Sequence, residues 1–127
     1  MKKPKYFVLN LALFLSLMGL SGFAHGQSQT SERTTRLVVS FYSICCGIDH
    51  KAKENLDNFI KGYEKAKRKK LTKAAVSWGR EGEVDYCMKL AELSRREQKR
   101  FIAKVRLLLK SSKLVHINEN AACQSVR

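Results

Sequence analysis

Lys73-Ala74-Ala75-Val76-Ser77-Trp78-Gly79-Arg80-Glu81-Gly82-Glu83-Val84-Asp85-Tyr86-Cys87-Met88-Lys89-Leu90 alternates in hydropathy on either side of a four-residue break, and the break decides the fold. Before it, Ala74, Val76 and Trp78 share one face. After it, Val84, Tyr86, Met88 and Leu90 face one way, and Glu83, Asp85, Cys87 and Lys89 the other. Gly79-Arg80-Glu81-Gly82 between them is a turn bracketed by two glycines. The spacing predicts a hairpin with strands over 73–78 and 83–90, rather than one bent strand of a three-stranded sheet.

Upstream, Leu56, Phe59, Ile60 and Tyr63 recur at helical spacing and form one apolar stripe of a helix that Asp49 can cap. That helix runs out in Lys65-Ala66-Lys67-Arg68-Lys69-Lys70, where positive charge suits the negative end of the macrodipole. Residues 37–46 are nearly all apolar, rich in β-branched and aromatic types, and closed off by Gly47 and Asp49. They read as a central strand buried on both faces. Downstream, Ser94 and Glu97 form a capping box for a second helix that carries Phe101, Val105, Leu108 and Leu109 toward a core. Residues 113–118 read as a last short strand and 119–127 as a tail. The order strand, helix, strand, strand, helix, strand is the ferredoxin-like α+β arrangement. Right-handed crossovers place both helices on one face of a four-stranded antiparallel sheet in the order 4-1-3-2.

Residues 1–26 read as a secretory signal. Lys2, Lys3 and Lys5 precede an apolar run from Phe7 to Leu20, and small residues at Gly22, Ala24 and Gly26 suit cleavage. No cysteine follows at once to take a lipid, and no second apolar run is long enough to span a bilayer. The expectation is export, to the periplasm or beyond the cell. Residues 27–35, polar throughout, are expected to be a mobile lead-in, and 36–127 one small domain. All four cysteines, Cys45, Cys46, Cys87 and Cys123, fall in that domain, and an even number in an oxidising compartment suggests two disulfides. A direct Cys45–Cys46 bridge would close a strained eight-membered ring. Cys46 and Cys87 would share the uncovered sheet face on neighbouring strands, which favours Cys46–Cys87 and leaves Cys45 for Cys123.

Loss of the three signal lysines lowers the net charge from +14 to +11, so the domain stays strongly basic and suits anionic partners. Lys65, Lys67, Arg68, Lys69 and Lys70 make one cluster. The second helix presents Arg96, Arg100 and Lys104, with Arg95, Lys99 and Arg106 beside them. With both helices on one side of the sheet, the clusters can merge into one surface for an anionic macromolecule or membrane. No aromatic residues interleave with them to stack bases, which argues against sequence-specific nucleic-acid reading.

Other constellations are thinner. Cys45-Cys46-Gly47-Ile48-Asp49-His50 offers two thiols and an imidazole to a soft metal such as Cu(I), Zn(II) or Hg(II). The Met-x-Cys-x-x-Cys of heavy-metal-associated domains and the arginine-bearing glycine-rich loop of acylphosphatases, both ferredoxin-like, are absent. There is no Cys-x-x-Cys pair, Gly-x-Ser-x-Gly elbow or phosphate-cradling glycine loop. His116, projected onto the open face beside Tyr42, Glu83 and Asp85, is the minimum for acid-base work, and Tyr42 and Trp78 would be contact residues if that face binds. The sequence therefore points to a non-catalytic binding module without a cofactor, acting through its basic helices. The alternative is a periplasmic soft-metal protein using Cys45 and Cys46.

Overall fold

The computed structural model describes residues 34–124. The signal expected over 1–26 lies outside the described residues, as do 27–33 of the expected lead-in. The elements run β1 (Thr34–Phe41), α1 (His50–Lys67), β2 (Lys73–Ser77), β3 (Val84–Met88), α2 (Arg95–Leu109) and β4 (Val115–Ala122). They form one antiparallel sheet in the order β2-β3-β1-β4, the ferredoxin-like arrangement with β1 and β3 central.

Central placement explains the composition of β1. Leu37, Val39 and Phe41 are fully buried against the helices with Val84, Tyr86 and Met88, while Val38, on the other face, is also buried. Leu56 and Ile60 of α1 and Phe101, Ile102, Val105 and Leu109 of α2 close the core. Phe101 holds the two helices together, its ring centroid 5.3 Å from Phe59 and 4.9 Å from Tyr63. Both caps form as the sequence implies. Asp49 accepts from Ala52 N–H at 2.9 Å, and Ser94 and Glu97 complete a reciprocal capping box. The hairpin turn owes its shape partly to Gly79, since a Cβ there would collide with the Glu83 side chain. The Glu83 carboxylate folds back to accept from Glu81 N–H at 2.8 Å.

Several boundaries and one core assignment differ from the sequence-based expectation. Thr34 and Thr35, expected in the mobile lead-in, are strand, paired with Ala122 and Ala121 of β4. β1 stops at Phe41 rather than Cys46: after Tyr42 N–H donates to Leu114 C=O, the chain bends through Ser43 to Cys46. β4 continues past Asn118 to Ala122, so half of the expected tail is strand. Finally, Leu108 is not a core residue. It lies 36% exposed next to the buried Leu109, and Leu107 is 64% exposed.

Candidate functional site

The two basic clusters meet across an acidic residue. α1 ends where Arg68 enters the left-handed region (φ 51°), its N–H bonding back to Glu64 and Lys65 carbonyls. That turn carries Lys67 and Lys69 to the start of α2, where each places its Nζ 3.5 Å from the Glu97 carboxylate. Backbone and side-chain hydrogen bonds from Ser94 hold the Glu97 carboxyl down to about 2, and the neighbouring lysines add to the effect. Lys65, Arg68 and Lys70 stay exposed beside this seam, as do Arg96, Arg100 and Lys104 on α2 at successive four-residue steps. Arg106, by contrast, turns away to the sheet edge, where it and Arg36 bind the Glu119 carboxylate at 3.0 and 2.6 Å. Every residue expected to bind anions therefore lies exposed on the helical side.

A second region gathers at the end of the sheet where β1 gives way to α1. Gly47 (φ 104°) makes the bend possible, its N–H donating to Ser43 Oγ at 3.1 Å and to Cys45 C=O at 3.2 Å. A Cβ at Gly47 would lie 3.9 Å from both Glu81 C=O of the hairpin turn and His50 Nε2. The hairpin turn and the imidazole are thus the nearest neighbours on that side of Gly47. Cys45 and Cys46 are free and exposed at its tip, and Ile44 before them is 81% exposed. Hydrogen bonding to Cys46 pushes the Cys45 thiol up from its ordinary value. Cys45 is therefore not a resting thiolate nucleophile of the kind that charge or a helix end would create.

The disulfide pairing corrects the expectation. Cys87 bonds to Cys123, with Cα atoms 5.9 Å apart, rather than to Cys46. The register sets Val38 and Ala74 across the ladder from Cys87, so Cys46 would face Gly79 rather than Cys87 even if β1 ran on to it. Because β4 runs on to Ala122, the chain after it can cross the open face of β1 to reach β3. Val38, in the row between Cys87 and Asn118, is 2% exposed beneath that crossing.

The open face holds its polar groups in separate pairs. Trp78 Nε1 donates to the buried Asp85 carboxyl at 2.9 Å. The Tyr42 and His116 rings stack, with centroids 4.6 Å apart, and Tyr42 Oη donates to Lys113 C=O at 2.6 Å. Ser40 stands between Asp85 and His116 in the register, two strand spacings or roughly 10 Å across. The two do not form an acid-base dyad. Glu83, engaged with the turn, is not free to join them.

One polar cluster escaped the sequence. Asp57 of α1 accepts from Lys73 Nζ at 2.7 Å, from Tyr86 Oη at 3.0 Å and from Lys53 Nζ at 3.4 Å, and Lys73 Nζ stands 3.8 Å above the Tyr86 ring. Burial pushes the Asp57 carboxyl up, but the hydrogen bonds from Lys73 and Tyr86 outweigh it and leave it below the usual range. Only the i, i+4 pair Lys53–Asp57 was visible in the sequence. Bringing Lys73 diagonally beside Tyr86 requires the β2–β3 register. A small cleft of about 180 Å³ lies between the start of α1 and the end of α2, lined by Asp49, Asn55, Leu108 and Ser112 among others. It is smaller than the roughly 300 to 1,000 Å³ of sites that enclose small molecules.

Among the described residues no group of three or more His, Cys, Asp or Glu side chains could hold a metal ion, and no helix is long and apolar enough to cross a membrane. Comparison with protein-family models, with curated proteins and with solved structures found no match.

Proposed function

We propose that the protein is an exported, non-catalytic binding module that engages an anionic surface or acidic partner through the seam between the end of α1 and the exposed side of α2. The observation that carries this reading is the pairing of Lys67 and Lys69 with Glu97, which draws two cation clusters, distant in sequence, around one neutralised carboxylate. The cations around it, Lys65, Arg68, Lys70, Arg96, Arg100 and Lys104, are exposed and take part in no ion pair among the described residues. A polyanion meeting them displaces condensed counter-ions, which is the source of affinity in such contacts. The Cys87–Cys123 bridge and the leader-like residues 1–26 support export.

The test is binding to heparin and to vesicles rich in anionic phospholipid, across a salt series from about 50 to 200 mM. Affinity should fall steeply with salt. The triple variant Arg96→Glu/Arg100→Glu/Lys104→Glu should lose at least about tenfold. Arg80→Glu/Lys89→Glu/Lys113→Glu, equal in net charge but away from the seam, should stay within about threefold. Equal losses in the two triples would mean that only overall charge matters, and a flat salt response would remove the reading altogether.

A further inference from the structure

With Cys87 and Cys123 joined, Cys45 and Cys46 have no long-range partner, and adjacency makes their mutual disulfide a strained ring. Both thiols are exposed on a bend whose backbone is held by the Gly47 N–H bonds to Ser43 and Cys45 and followed at once by the capped start of α1. The two are adjacent in the chain and both stand exposed at the tip of the bend. This is a pair of soft donors on a rigid mount, open to solvent.

The donor set selects the ligand. Zinc prefers four donors in a tetrahedron, at least three of them from the protein, and no three suitable side chains converge here among the described residues. A hard cation needs a full set of oxygen ligands, and the two side chains at the tip of the bend offer only sulfur. Cu(I) is soft, favours thiolate and is satisfied at low coordination number. We propose that Cys45 and Cys46 form a two-sulfur capture site for Cu(I), separate from the basic seam and independent of what that seam binds. Binding replaces two S–H bonds with two Cu–S bonds and releases two protons to solvent. Copper enters and remains as Cu(I), so no electron changes hands and no other reactant is required. His50 is a neighbour of the bend, not a required ligand.

The test uses the oxidised chain, with Cys87–Cys123 intact and no reductant, titrated anaerobically with Cu(I) against a colorimetric Cu(I) chelator. Two thiols should react with a thiol reagent before copper is added and none after one equivalent. Intact mass should show one copper per chain. Cys45→Ser and Cys46→Ser should each weaken retention by about a hundredfold or more, because the second Cu–S bond is an intramolecular step whose effective concentration is lost. His50→Ala should change it less than threefold. Both cysteines are exposed, so the variants should keep the circular dichroism of the parent. Three results would each overturn the assignment: no reactive thiols in the copper-free chain, equal retention by the Cys45→Ser/Cys46→Ser double variant, or single variants that hold copper as tightly as the parent.

Discussion

The two faces of the sheet are closed by different means. On the helical face, residues from four elements share one continuous apolar core, so each side chain is held by many neighbours and none chooses a single partner. On the open face, burial depends on specific pairings: Cys87 with Cys123, Trp78 with Asp85, Tyr42 with His116. A core built by pattern tolerates imprecision in any one place. A face built from discrete pairs should fail pair by pair.

Removing Phe101 should show the larger effect and test the first half of this contrast. The ring is fully buried, packed against Phe59 and Tyr63. Phe101→Ala should lower unfolding free energy by about 3 to 5 kcal/mol in a denaturant titration. A loss under about 1 kcal/mol would mean the helices pack without it. Opening the bridge comes next. Cys123→Ser frees a closure that spans 36 residues and should cost about 2 to 4 kcal/mol, mostly by enlarging the unfolded ensemble. The same change should expose Val38, and amide exchange at β1 is the readout that distinguishes local uncovering from simple destabilisation. If Cys123→Ser leaves Val38 as protected as before, the crossing chain is not what covers it.

The contrast also explains what the sequence could and could not disclose. The helical face was legible because it follows from period: Leu56 and Ile60, Phe101 and Val105, and the alternation of Val84, Tyr86 and Met88 can be read without knowing any distant contact. The caps at Asp49 and Ser94 were legible because a cap is a local motif. Strand order followed from handedness once the hairpin was recognised. The open face was not legible to the same degree. Choosing between Cys46 and Cys123 as the partner of Cys87 depended on the register of β1 against β3 and on how far β4 runs. Neither is written in the local pattern, and an apolar run such as 42–46 also carries no stop signal until Gly47 to show where β1 ends. The Leu107-Leu108-Leu109 run misled for a related reason: three consecutive leucines on a helix cannot all face one core, and only Leu109 is buried. Of the proposed sites, the basic seam was foreseen as two clusters, but its joining through Glu97 needed the antiparallel approach of α1 and α2.

The smallest and sharpest test concerns the Trp78–Asp85 pair. Asp85 is 2% exposed on a face without helices, and its one side-chain partner among the hydrogen bonds of the described residues is the Trp78 indole N–H at 2.9 Å. A buried acceptor deprived of its donor bears the full desolvation penalty, whereas removing both partners together removes the need for either. Trp78→Phe keeps most of the ring and deletes only the N–H, so it should destabilise by about 1 to 2 kcal/mol. Asp85→Val alone leaves an indole that is 42% exposed and can turn its N–H to water, so it should cost less. The double variant should then be more stable than Trp78→Phe alone, giving a coupling energy of about 1 kcal/mol in a thermodynamic cycle. Additive effects would mean that Asp85 is satisfied in some other way, and the open face would then be held by its disulfide and the Tyr42–His116 stack rather than by three separate pairs.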